Sequence, residues 1–162
     1  SLAYMVKKFS NLIVLKTLSK NIGIAGLRFS YMLSNPKVGD LINVYRSPYE
    51  ISHFSLKVAE YFLKRPKILK SYLFEIKKSK NFVKKECIRY NFSLKETQAN
   101  FFYITFNKKN CSRIVYYLKK KKILVKHLPN TTQFANSIRV TYGSISQMNL
   151  LFKTLNMYKK IN

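Results

Sequence analysis

The stretch that decides the reading is Asn11-Leu-Ile-Val-Leu-Lys-Thr-Leu-Ser-Lys-Asn-Ile-Gly-Ile-Ala-Gly-Leu-Arg-Phe-Ser-Tyr31. Leu12 to Leu15 are apolar in a row, which reads as a short buried strand over Asn11 to Leu15. Thr17 to Gly26 is polar and holds Gly23 and Gly26, so it is a loop with room for one helical turn. Leu27 to Leu33 reads as a second strand. Between Thr17 and Arg28 lie two hydroxyls, an amine, two glycines and a guanidinium, all within twelve residues. Hydroxyls and a planar guanidinium can hold a phosphate dianion, the guanidinium through paired hydrogen bonds. A lysine beside a cation and partly desolvated has a depressed pKa, which favours the neutral amine that attacks an aldehyde. By residue type alone, a Ser-Lys pair in a loop is also an ordinary solvated surface feature.

Outward from this stretch, residues 1–9 read as the end of a helix. Asn35-Pro36 marks a turn, with Pro36 suited to the first turn of a helix running to about Arg46. Ser52 is a plausible N-cap for a helix from His53 to Leu63. Pro66 starts a long Lys-rich helix, from about Lys67 to Ile88, whose apolar residues Ile68, Leu69, Tyr72, Leu73, Ile76, Phe82 and Val83 recur at helical spacing. Phe101 to Phe106 is aromatic and β-branched, hence a strand. Ser112 to Lys121 forms a short amphipathic helix. Ile123 to Lys126 and Ser137 to Tyr142 read as strands, and Ser146 to Lys159 as a closing helix. From about residue 90 the order describes a compact α+β unit. Residues 1–50 give a strand pair and a helix with no visible sheet to sit in. We find no internal repeat.

Composition narrows the class. The chain has 162 residues, of which 47% are hydrophobic, enough to bury a core and to argue against disorder. No apolar run approaches the roughly 18 residues of a membrane span, so no membrane association is expected. The sequence does not begin with Met and shows no signal-peptide pattern, so Ser1 reads as an interior position of a longer protein. Cys87 and Cys111 are too few for a disulfide framework and lack metal-site spacing; two small buried or half-buried thiols in a reducing cytoplasm are expected. The net charge of +25 is the feature that most demands an explanation. Nucleic-acid or anionic-membrane binding is one reading. Codon bias is the other: Phe, Tyr, Met, Ile, Asn and Lys, the residues of A/T-rich codons, make up half the chain. Lysine is spread through the sequence, which favours bias, with contacts to nucleic acid being non-specific and salt-dependent.

The stretch from Asn11 to Tyr31 resembles the cofactor-lysine signature of the class I/II pyridoxal-phosphate-dependent aminotransferases, most of all their histidinol-phosphate aminotransferase branch. Further blocks agree in order and spacing: Arg46-Ser47-Pro48-Tyr49 with Ser52, Gln98-Ala99-Asn100-Phe101-Phe102, Ile123-Leu124-Val125-Lys126, and Ile138-Arg139-Val140-Thr141-Tyr142-Gly143. The resemblance covers nearly the whole chain. It implies an α/β protein of the fold type I class, present in part: residues 1–51 as the end of the large cofactor-binding domain, and residues 52–162 as the small α+β C-terminal domain with connecting helices. It implies pyridoxal 5′-phosphate as cofactor and no metal. Lys20 would bond covalently to it and, once freed, shuttle the substrate's proton. Thr17, Ser19 and Arg28 would hold the cofactor phosphate. Arg139 would hold the anionic end of the substrate, with Lys126 and Asn100 as further substrate-side candidates. The partners implied are an amino donor, a 2-oxo acid and a second subunit of a homodimer.

Several positions depart from the family. Lys126 stands where the family has arginine, which keeps the charge but loses the bidentate fork. Lys122 stands where a glycine is usual, and Ser144-Ile145-Ser146-Gln147 stands where acidic residues are usual. The family's aspartate that pairs with the pyridinium nitrogen precedes its lysine, whereas the single aspartate here, Asp40, follows it. Histidinol phosphate with 2-oxoglutarate is the expected pair. Another class I/II aminotransferase, a related decarboxylase, an inactive remnant and a cationic nucleic-acid-binding protein are the alternatives. Exposed apolar surface is expected where a larger sheet would lie. Without a pyridinium partner the cofactor is a poor electron sink, so the 162-residue chain alone is expected to transaminate negligibly. Assay of glutamate formation, with and without an added N-terminal fragment of a relative, checks this.

Overall fold

A computed structural model describes residues 2–21, 23–106, 111–128 and 134–161. The chain divides into two compact units, residues 1–71 and 72–162.

The first unit opens with a 3-10 helix, Leu2–Lys7, in place of the expected α-helical end. Strand β1 is Val14–Thr17 and pairs antiparallel with β2, Ser30–Leu33, in the register Val14↔Leu33 to Thr17↔Ser30. The strand expected over Asn11 to Leu15 is therefore shifted towards the C-terminus, and it is not buried, since Leu15 is 75% exposed. The reason is geometric. Consecutive apolar residues in a strand face both sides of a sheet, and both are covered only inside a multistranded one; here the sheet has two strands. Helix α1, Leu18–Asn21, is the single turn foreseen in the loop. A 3-10 turn, Ala25–Leu27, follows, and the strand expected from Leu27 begins only at Ser30. Arg28 intervenes in the left-handed region, φ 52° and ψ 31°, which no strand residue occupies.

Helix α2 spans Pro36–Asn43, shorter than the span to Arg46. Its start is as expected: the Asn35 side chain accepts from Lys37 N–H at 3.1 Å, and Pro36 occupies a position whose N–H is not needed. Helix α3, His53–Leu63, is capped by Ser52, whose hydroxyl accepts from Ser55 N–H at 3.1 Å. Ala59 of α3 is buried with Leu18, and Ile24, Phe29, Phe62 and Leu69 pack around the pair. This small cluster ties the helical turn of α1 to α3. Helix α4, Pro66–Tyr90, contains the unit boundary.

The second unit is a four-stranded antiparallel sheet covered by helices. Its strands are β3 (Ser93–Lys95), β4 (Phe101–Thr105), β5 (Lys126–His127) and β6 (Ser137–Thr141), in the order β3-β4-β6-β5. Helices α5 (Cys111–Lys120) and α6 (Ile145–Ile161) complete it. Period-two alternation points Phe102, Ile104, Ile138 and Val140 at one face, where they join Val83 and Cys87 of α4, Ile114 and Leu118 of α5, and Leu151, Phe152 and Leu155 of α6. Both cysteines are buried here as free thiols, and burial pushes the Cys87 thiol up to about 12. Strand β3 is an element that the sequence reading lacked: three residues with a single apolar side chain carry too little periodicity to register.

Loop chemistry explains two further differences. Helix α5 ends in a Schellman turn, with Ile123 N–H donating to Leu118 C=O at 2.9 Å and Lys122 N–H to Lys119 C=O at 3.0 Å. Ile123 belongs to that turn and Leu124 is exposed, so the strand expected over Ile123 to Lys126 begins only at Lys126. The turn puts Lys122 at φ 60°, the conformation that the glycine usual at this position adopts freely. Helix α6 starts with a capping box: Ser144 Oγ accepts from Gln147 N–H at 3.3 Å, and Gln147 Oε1 accepts from Ser144 N–H at 2.9 Å. Among the described residues no helix is long and apolar enough to cross a membrane.

Lys122→Gly is expected to raise stability by up to about 1 kcal/mol, because relief of the left-handed strain exceeds the added freedom of the unfolded chain. The urea midpoint of the variant, with an unchanged m-value, reads this directly.

Candidate functional site

The site candidates fall in both units, four in the first and three in the second. In the first, the β1–β2 register sets the geometry. Thr17 pairs with Ser30, and Leu18 N–H continues the ladder by donating to Phe29 C=O at 3.4 Å. Loop 18–29 therefore begins and ends at one place. Ser19 and Lys20 leave this neck on one side, and Arg28 returns to it on the other.

Leu18 is buried in the small cluster and anchors the turn of α1. Lys20 lies two residues on, about 200° around a helical turn, and is exposed on the outer side. The described residues thus do not supply the partial desolvation expected of a reactive amine. Arg28 is also exposed. Among the described residues neither the Lys20 amine nor the Arg28 guanidinium has a hydrogen-bond or ion-pair partner, so both are available to an external anion or carbonyl. The Ser19 hydroxyl is half-buried at the same neck. Thr17 differs from the other three. Its hydroxyl accepts from Ser19 N–H at 3.1 Å and donates to Phe29 C=O at 3.4 Å. The hydroxyl read from sequence as a phosphate ligand is engaged in holding the neck, and it orients Ser19 and Lys20.

A phosphate dianion needs several donors and positive charge. The neck offers the Ser19 hydroxyl and the Arg28 fork, and Lys20 adds a primary amine. This donor set fits pyridoxal phosphate. The first acid in the sequence is Asp40, in α2, and it lies beyond the hairpin.

In the second unit, Arg139 sits at the centre of β6, directly opposite Tyr103 of β4 on one side and Lys126 of β5 on the other. Residues opposite each other in a ladder project to the same face. Arg139 and Lys126 therefore stand side by side on the face turned away from the helices. The Arg139 guanidinium lies 5.1 Å from the centre of the Phe101 ring, and Tyr103 stacks on Phe134 at 4.2 Å between ring centres. Aromatic walls thus hold Arg139 half-buried. Two like charges directly opposite destabilise a strand pair, and an anion bound between them would relieve the repulsion. Arg139 and Lys126 also line an open cleft of about 830 Å³ with Tyr142, Gly143 and Gln147. Asn100 contributes through its backbone: its carbonyl accepts from Tyr142 N–H at 2.9 Å and extends the β4–β6 ladder by one bond. Burial pushes the Tyr142 hydroxyl up to about 12.

The sequence reading missed Phe101 and Tyr103 as supports of Arg139. Their alternation in the run Phe101-Phe-Tyr-Ile-Thr105 was the available signal, but the pairing of Tyr103 with Arg139 exists only in the folded register.

The sequence profile described as aminotransferase class I and II matches residues 2–155, and the chain belongs to this family. A histidinol-phosphate aminotransferase from Caldanaerobacter subterraneus is 32% identical over 151 residues, covering 93% of this chain and 42% of the relative. The crystal structure of histidinol-phosphate aminotransferase from Sinorhizobium meliloti in complex with pyridoxal-5′-phosphate superposes with a TM-score of 0.82 at 22% identity, over 94% of this chain and 43% of that one. L-threonine-O-3-phosphate decarboxylase from Porphyromonas gingivalis shares the fold with a TM-score of 0.82 at 18% identity, over 98% of this chain and 50% of that one. These neighbours establish the fold as that of pyridoxal-phosphate-dependent enzymes of fold type I, present here in part. The chain spans less than half the length of the curated relatives it matches.

Thr17→Val deletes both hydroxyl bonds at the neck while keeping the shape. It is expected to lower stability by about 1 kcal/mol, seen as an earlier thermal transition, and Thr17→Ser is expected to recover most of the loss.

Proposed function

We propose that this chain supplies the cofactor-lysine half of a pyridoxal-phosphate-dependent aminotransferase that passes the amino group of L-histidinol phosphate to 2-oxoglutarate. What supports the proposal is that Ser19, Lys20 and Arg28 lie on one loop that begins and ends at the β1–β2 neck, in a chain of the class I/II family. Pyridoxal phosphate, when bound, supplies an electron sink for the bond broken at the substrate α-carbon. Lys20 would hold the cofactor, and its amine would carry the proton to and from the substrate α-carbon. Ser19 and Arg28 bind the cofactor phosphate, and Thr17 positions them through the neck. Arg139 binds the anionic end of the substrate by its fork, with Lys126 adding a point charge beside it. Asn100 aligns the strand that carries Phe101 against Arg139.

Histidinol phosphate is supported by the names of the curated relatives. A decarboxylase acting on a phosphorylated amino acid is the second reading, favoured by the shared fold of the threonine-phosphate enzyme. Both use a phosphate-bearing amine, which suits a cationic sheet face. We further propose a homodimeric full-length enzyme in the cytoplasm.

Incubation of the protein with pyridoxal phosphate, borohydride reduction and peptide mass mapping tests the central assignment. The expected result is a phosphopyridoxyl adduct on Lys20, absent from Lys20→Ala and weakened several-fold in Arg28→Gln. An adduct spread over surface lysines in proportion to their exposure would overturn it. Loss of the Lys20 label when histidinol phosphate, and not O-phosphothreonine, is added before the borohydride separates the two substrate readings.

A further inference from the structure

The charge of this protein is unevenly placed. All six acidic residues lie between Asp40 and Glu96, and five of them form ion pairs with Lys or Arg of that region. Residues 97–162 hold twelve Lys and Arg and no Asp or Glu. Residues 1–39 also lack Asp and Glu but carry only six Lys and Arg. Charge asymmetry along a chain is a mark of polyanion contact.

Within this segment one surface has shape as well as charge. Arg113, Tyr116 and Lys120 follow at helical spacing on the exposed side of α5. Lys120 lies 4.8 Å from the centre of the Tyr116 ring, and Tyr116 is 61% exposed. Beside them, Tyr117 packs on Tyr158 of α6 at 5.2 Å between ring centres. Ser112, Arg113, Tyr116, Lys120 and the two packed tyrosines line an open cleft of about 500 Å³. Cations that track a phosphate backbone, interleaved with a ring on which a base can stack, are the elements of single-strand recognition. A membrane surface fits less well, because the apolar side of α5, with Cys111, Ile114 and Leu118, is buried in the core and cannot insert.

We propose that the α5–α6 cleft is a binding site for single-stranded nucleic acid, in which Arg113 and Lys120 contact phosphates and Tyr116 stacks on a base. This goes beyond the aminotransferase reading and is independent of it. The site would be sequence-tolerant and strongly salt-dependent.

The test is fluorescence anisotropy of labelled oligouridine on the 162-residue chain across a salt series. Three variants are compared: Arg113→Gln with Lys120→Gln, Tyr116→Ala, and a charge-matched control, Lys37→Gln with Lys70→Gln, two exposed lysines elsewhere. Circular dichroism checks that each remains folded. The site predicts a fall of about 1.4 in the salt slope for the first variant, two phosphate contacts at roughly 0.7 each. It also predicts at least about five-fold weaker binding for Tyr116→Ala, and little change in the control. Equal losses in the two double variants would show charge without a site and overturn the proposal. So would an unaltered Tyr116→Ala, or binding to phosphatidylserine vesicles with none to oligouridine.

Discussion

The antiparallel register of β4 against β6 is the constraint on which the second unit depends. Pairing Phe102 with Val140 and Ile104 with Ile138 puts four apolar side chains on the helix-covered face. The same register leaves Tyr103, Arg139 and Lys126 on the other. A slip of one residue would reverse every side chain, burying Arg139 among leucines without a partner and exposing Phe102. The energetic cost of burying an unpaired guanidinium and the loss of aromatic burial act in the same direction. Core formation and placement of the cationic face are thus one event, and Arg139 is held by the same ladder that builds the core.

The first unit solves a similar problem with less material. Its hairpin is short, and its apolar cluster is limited to Leu18, Ala59 and a few partly buried neighbours. Leu18 fixes the turn of α1, the Thr17 hydroxyl closes the neck, and Lys20 is left on the outer side. A lysine so placed has a defined position but not a dry environment. Large apolar residues such as Leu2, Tyr4 and Leu15 are exposed in the same unit. The described residues of this unit therefore hold Lys20 in position without shielding it from solvent.

Departures from the family pattern also have local physical readings. Lys122 occupies the left-handed position of a Schellman turn where glycine is usual, a tolerated strain and not a new function. Gln147 replaces an acidic residue yet completes a capping box with Ser144, so the start of α6 is kept by a neutral group. Lys126 in place of arginine puts a point charge, and not a second fork, beside Arg139.

The long helices were legible because caps and apolar periodicity are local: Asn35-Pro36, Ser52 and Pro66 mark their starts whatever the rest of the chain does. The Thr17 to Arg28 chemistry was legible because it lies within one short stretch. Tertiary structure decided the remainder. It decided that Thr17 spends its hydroxyl on Phe29, twelve residues away, and that Arg28 turns left-handed before β2 begins. It decided that β3 exists at all, and that Tyr103 and Lys126 flank Arg139. The flanking of Arg139 depends most on pairing between separate segments, where the free energy comes from a register that no local pattern encodes.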